Sequence, residues 1–192
     1  MASFEDMVSR PSVSISRSNN EAIKWFNNRT RALPNSINQL MTDQTRVKSR
    51  IEIGHMYFFS YDPKTKDDLP YYDRLPLIFP FNSTSTGIYG INMHYLPYGL
   101  RAKLMDALYS IISDTRFDEK TRLKLSYDVL NSTSRFKYFK PCIKQYLYSH
   151  IRSQFVHIRA DEWNNALFLP VERFQKASKE RVFRDSIAQI KG

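Results

Sequence analysis

Cysteine is nearly absent from this chain. Cys142 is the only one in 192 residues, so no internal disulfide can form and no thiolate cluster can hold zinc. A lone thiol fits a reducing compartment. Glycine is scarce as well: the five glycines are scattered, which excludes a Gly-rich phosphate loop. No stretch approaches the roughly 20 consecutive apolar residues of a membrane span. The first twenty residues lack the apolar segment of a secretory leader. These absences predict a protein made in a cytosol, with no membrane partner.

The residues that usually carry enzyme chemistry are thinly spread. There is no HExxH motif and no pair of histidines at one-turn spacing. His150 and His157 lie two turns apart on one predicted helix, a poor geometry for a shared metal. Asp62, Asp67, Asp68 and Asp73 lack calcium-loop spacing, and Lys64 and Lys66 are interleaved with them, so this reads as a solvated loop. His94 is the best single candidate for acid–base work, but no sequence-local partner supports it and a packed, hydrogen-bonded histidine is expected. Cys142 follows Pro141 in a basic stretch that would suit a thiolate, yet a free buried cysteine is the simpler reading. The expectation is therefore no enzyme, no metal and no cofactor.

What the chain does have is positive charge and aromatic rings. Twenty-nine Lys and Arg stand against 19 Asp and Glu, a net +10, and aromatics make up 14% of the residues. The charge is uneven: +4 over residues 1–50, −2 over 51–100 and +8 over 101–192. Such asymmetry predicts a basic surface on one part of the fold, able to attract polyanions. With 42% apolar residues, the chain can bury a core at this length.

Patterning predicts an α+β protein. Residues 1–20 are rich in Ser, Asn and Arg and form an arm, with 21–192 as a single domain. Short helices are expected over 21–33 and from 35 to 47. From Ile51 to Leu96, three runs enriched in β-branched and aromatic residues predict a small antiparallel sheet or an open SH3-like barrel. Gly54 marks a bulge or close approach inside the first run, and Pro76 and Pro80 push the second to an edge or an irregular path. After Pro97 the spacing of Leu100, Leu104, Leu108 and Ile111 turns helical, and a bundle of helices is expected over about 99–190. One of these starts at Pro141 and carries Ile143, Tyr146, Leu147, Ile151 and Phe155.

The clearest surface signal runs from Arg135 through Lys137, Lys140 and Lys144, followed by Tyr146, Tyr148 and Arg152. Lys and Arg can meet phosphates while aromatic faces stack on unpaired bases. The same stretch is equally consistent with Phe136, Phe139 and Ile143 as core and the lysines as a solvated rim.

Several phrases carry a resemblance: Gly54-His-Met-Tyr-Phe-Phe-Ser-Tyr-Asp-Pro-Lys64, Leu69-Pro-Tyr-Tyr-Asp-Arg-Leu-Pro-Leu77, Gly90-Ile-Asn-Met-His-Tyr-Leu-Pro97, Arg101-Ala-Lys-Leu-Met-Asp-Ala-Leu108, Phe139-Lys-Pro-Cys142 and Ala166-Leu-Phe-Leu-Pro170. Over residues 50–190 the chain resembles a family of small proteins from contractile-tailed bacteriophages, described both as virion or baseplate components and as DNA end protectors. The resemblance implies a place in the virion after assembly in the host cytoplasm, and it supplies no catalytic residues. Two functions follow. In the first, the protein is a tail or baseplate part in an oligomer or hetero-assembly with other virion proteins. Ile15 and Arg17 of the arm and Tyr71, Tyr72 and Tyr98 would then make the contacts. In the second, it binds DNA, at ends or nonspecifically, through Arg135, Lys137, Lys140, Lys144 and Arg152.

Overall fold

The computed structural model describes residues 44–101, 137–159, 162–168 and 171–192, together with 116 and 128. Among the described residues there are eight strands: β1 Val47–Lys48, β2 Met56–Phe58, β3 Tyr72–Asp73, β4 Leu77–Ser83, β5 Gly87–Asn92, β6 Ile143–Leu147, β7 Phe155–Ile158 and β8 Phe174–Gln175. The same residues include two α-helices after the main sheet, α1 Trp163–Phe168 and α2 Lys179–Lys191. Short 3-10 turns occupy Met93–Tyr95, Lys137–Cys142 and Tyr148–His150, and residues 98–101 are helical.

Six strands form one antiparallel sheet in the order β1-β7-β2-β4-β5-β6, while β3 and β8 form a separate ribbon. Strand alternation divides the apolar residues between two faces. Met56, Phe58, Leu77, Phe79 and Ile91 join the larger core with Trp163, Leu167 and Val182. Tyr57, Phe59, Tyr61, Ile78, Ile88, Tyr146 and Phe155 form a second cluster on the other face. That second face is concave. Tyr146 on β6 meets Tyr61 and Phe59 edge-on at 4.9 and 5.3 Å, although β4 and β5 lie between β6 and β2 in the sheet. Beyond β6 the chain crosses this face to reach β7, bridging Ile151 to Tyr61 and donating from the Arg152 N–H to the Ser60 carbonyl at 2.8 Å.

Helix α2 has a conventional cap. Ser178 accepts from the Arg181 N–H, Glu180 sits in the first turn, and Val182, Ser186 and Ile190 form the buried stripe. Among the described residues no helix is long and apolar enough to cross a membrane.

Several expectations require correction. An SH3-like barrel built from 51–96 does not form, because that stretch supplies only β2, β4 and β5 to the main sheet, and β1, β6 and β7 complete it. The helix expected from Pro141 to Phe155 is instead a 3-10 turn, β6, a second 3-10 turn and β7. Apolar residues there fit a helical stripe, but β-branched and aromatic side chains with an open sheet edge available favour strand. His150 and His157 consequently share no helix. Among the described residues the helical part is therefore no bundle; it alternates with strands. Of the two paths expected for the run holding Pro76 and Pro80, the edge does not occur, since β4 lies between β2 and β5, while the irregular path does, as a register shift between Pro80 and Asn82. Gly54 sits in a turn before β2 with φ 92°, a left-handed conformation that glycine reaches without strain. The arm over 1–20, the two early helices up to residue 43 and the helices expected within 102–136 lie outside the described residues, but Val47, expected to end the second early helix, is in strand β1.

Candidate nucleic-acid interface

The concave face meets the surface beside the Asp62–Leu69 loop, and buried polar bonds fix both. Asp73, on β3, is 3% exposed and accepts four hydrogen bonds. Two come from the Leu75 and Arg173 N–H groups at 3.0 and 3.1 Å, one from Asn92 Nδ2 at 3.2 Å and one from His94 Nδ1 at 2.6 Å. Asn92 also donates to the Tyr146 hydroxyl at 2.9 Å. Burial alone would raise the Asp73 carboxyl, but the adjacent His94 ring and the two backbone donors bring it below the ordinary carboxylate range. His94 is fully buried, so this pair ties β3 to the 3-10 turn that follows β5.

Lys176 holds the loop from the other side. It adopts a left-handed backbone, φ 67°, and its ammonium donates to the carbonyls of Lys66, Asp67 and Leu69 at 2.7, 2.8 and 3.2 Å. The expected acidic set is thereby split. Asp67 and Asp68 face solvent, Asp62 pairs with Lys66 at 3.2 Å, and Asp73 is committed to His94. No group of three metal-ligating side chains exists among the described residues.

Two cavities flank the loop and share Tyr61 and Tyr72 in their walls. The first, about 380 Å³, is lined by Ser60, Asp62, Lys66, Arg74, Arg152 and Gln175 besides the shared tyrosines. Its one carboxylate, Asp62, lies 3.9 Å from Arg152 and 3.2 Å from Lys66, leaving positive charge in excess. The second, about 310 Å³, is walled by Tyr71, Tyr95, Tyr146 and the loop residues Lys64 and Leu69. Lys144 enters it with its ammonium 4.3 Å from the centre of the Tyr95 ring. Burial pulls this ammonium below the ordinary lysine range, and it pushes the Tyr95 and Tyr146 hydroxyls up. Cations beside aromatic walls are the two elements that hold a nucleic-acid strand.

The residues expected from sequence are distributed unevenly about this surface. Lys144 and Arg152 line neighbouring cavities. Lys140 is exposed on the 3-10 turn and lines neither. Lys137 begins that turn, and Arg135 lies outside the described residues. Of the tyrosines assigned to protein contacts, Tyr71 packs half-buried against Tyr95, and Tyr72 lines both cavities. Tyr98 points elsewhere, donating to Glu172 Oε1 at 3.3 Å with the buried Arg101 guanidinium 4.7 Å from its ring centre. Ile15 and Arg17 lie outside the described residues. Cys142 is fully buried and its thiol is pushed far up by desolvation, so it stays a thiol.

Sequence reasoning missed Tyr61, Arg74, Tyr95 and Lys176. The alternation of rings at Tyr57, Phe59 and Tyr61 was the available signal, since period two places all three on one face. No curated protein and no solved structure matches the chain. A family model described as phage T4 terminal DNA protecting protein matches residues 3–188, nearly the whole length, and the chain belongs to that bacteriophage family.

Proposed function

We propose that the protein binds the ends of phage DNA and shields them, with the paired cavities beside the Asp62–Leu69 loop as its contact surface. This is the second of the two functions raised by the sequence. The family description favours it over a tail or baseplate part. The observation that carries it is the cluster of Lys64, Lys66, Arg74, Lys144 and Arg152 around walls of tyrosine. Phosphates would meet the exposed Arg74 and Arg152, and bases freed at a fraying end would stack on Tyr61 or Tyr72. Chemistry on the DNA is not part of this role: occupying an end is enough to block an exonuclease. On this reading the protein stays with the DNA in the particle.

The test is exonuclease digestion of a linear duplex in the presence of the full-length protein, with binding measured in parallel on a covalently closed circle of the same sequence. Ends should be protected and the circle bound at least tenfold more weakly. Arg74→Ala with Arg152→Ala should abolish protection and lower the salt slope of binding by about 2, one phosphate contact each. Equal affinity for circle and linear duplex would remove the end-binding reading.

A further inference from the structure

We propose that the cavity around Lys144 is a pocket for the terminal phosphomonoester of a DNA strand, which makes the protein a reader of the phosphorylation state of an end. The inference rests on the end-binding reading above and specifies what part of the end is held.

The starting point is an incompletely satisfied cation. Lys144 sits on β6 one pleat from Tyr146, facing the concave side. Its ammonium carries three donors, yet among the described residues its partner is the Tyr95 ring face, with no hydrogen-bond acceptor and no carboxylate in an ion pair. Desolvation already disfavours its charge. A lysine in that state gains from any ligand that brings oxygen acceptors and negative charge. The one carboxylate in the wall, Asp73, has its charge answered by four donors of its own.

The shape of the site selects among phosphates. Tyr71, Tyr95 and Tyr146 wall the cavity on the sheet side, and the loop closes the other side, pinned by Lys176. A volume of about 310 Å³ is at the small end for a ligand site and suits a single nucleotide better than a continuing strand. An internal phosphodiester carries chain on both sides and would have to thread the walls. A terminal monoester has chain on one side only. It also carries about −1.5 to −2 charge and three acceptor oxygens, against the single charge of a diester. Lys64, on the loop side of the same cavity, supplies a second cation at the mouth. In this geometry the aromatic walls would flank the last base while Lys144 holds its phosphate.

The experiment compares blunt duplexes that differ only at the terminus: 5′-phosphate, 3′-phosphate, or hydroxyl at both positions. Full-length protein should bind one of the phosphorylated ends at least about tenfold more tightly than the hydroxyl end, the discrimination expected of a charge-assisted contact. Which of the two is preferred assigns the strand polarity. Lys144→Met should erase that preference, lowering affinity for the phosphorylated end at least about tenfold more than for the hydroxyl end, whereas Arg74→Ala should weaken all three ends by the same factor. Orthophosphate should compete against the phosphorylated end and leave hydroxyl-end binding unchanged. Equal affinity of the wild type for all three ends would overturn the phosphate pocket while leaving end binding intact. If closed circles bind as well as any linear duplex, the parent reading itself fails.

Discussion

The Asp73 cluster offers the sharpest stability test. Replacing Asp73 with Ala strands four donors in a site where Asp73 is 3% exposed and both Asn92 and His94 are fully buried. Asn92 keeps its bond to Tyr146, but the Leu75 and Arg173 N–H groups and His94 Nδ1 lose their only acceptor on this carboxylate. Each of the three donors left without this acceptor costs about 1–3 kcal/mol. These overlap, so a net loss of about 3–5 kcal/mol is expected against a total stability of about 5–15 kcal/mol. For a chain of this size that lowers Tm by roughly 10 °C in a circular-dichroism melt. Asp73→Asn keeps one acceptor oxygen and should lose less. The pH dependence has a definite sign. Because folding lowers the Asp73 pKa, its stabilisation is present above the unfolded carboxylate pKa and is lost as pH falls through the folded one. The gap between wild type and Asp73→Asn should therefore narrow in acid. A change below about 1 kcal/mol in Asp73→Ala, the scale of an ordinary surface substitution, would refute the reasoning.

Two further perturbations have defined outcomes. His157 faces His55 across 2.9 Å, an arrangement that works only while one ring is neutral, and burial, His55 and Lys48 all lower its pKa against a smaller opposing pull from Glu52. Stability should thus be full above the unfolded histidine pKa and decline as pH falls below it; urea unfolding at pH 7.5 and 5 should show a smaller acid loss in His157→Gln, and identical losses would dismiss the pair. Gly87 sits where an added Cβ would strike the backbone carbonyl of Tyr146 on the next strand, which cannot swing aside as a side chain can. Gly87→Ala should cost about 1–3 kcal/mol by chemical denaturation and weaken DNA-end binding, since it displaces the strand bearing Lys144 and Tyr146; unchanged stability and binding would show that β5 and β6 can part freely.

How much was legible in advance follows from range. The strands around Tyr57, Ile78 and Ile88 are written in local composition, and so is α2, where Ser178 caps a stripe of Val182, Ser186 and Ile190. The segment from Pro141 to Phe155 was misread because its fate depends on partners fifty or more residues away: β6 completes the edge beside β5, and β7 slots between β1 and β2. A short apolar run does not reveal which edge it will find. The site shows the same division. Lys144 and Arg152 stood out as part of a basic run, but Arg74, Tyr61 and Tyr95 come from strands and turns elsewhere, and only the curl of the sheet brings them to that loop. Lys176 carried no local signal at all, since its role is set by carbonyls more than a hundred residues earlier in the chain.

That curl has a consequence for how binding and folding are linked. Tyr61 and Tyr146 are core residues of the concave face and at the same time walls of the cavities. Tyr61 also accepts from the Leu147 N–H at 3.2 Å, tying β6 to the continuation of β2. An occupant resting on these rings therefore contacts the joint that closes the sheet. Because it binds the folded chain and has no counterpart site in the unfolded one, its free energy adds to stability, about 2.7 kcal/mol at a hundredfold excess over Kd. A short duplex with the preferred end should accordingly raise Tm by several degrees, whereas a closed circle at equal phosphate concentration should not. If both raise it equally, the stabilisation comes from the general basic surface, and the tyrosine-walled cavities have no special part in holding DNA.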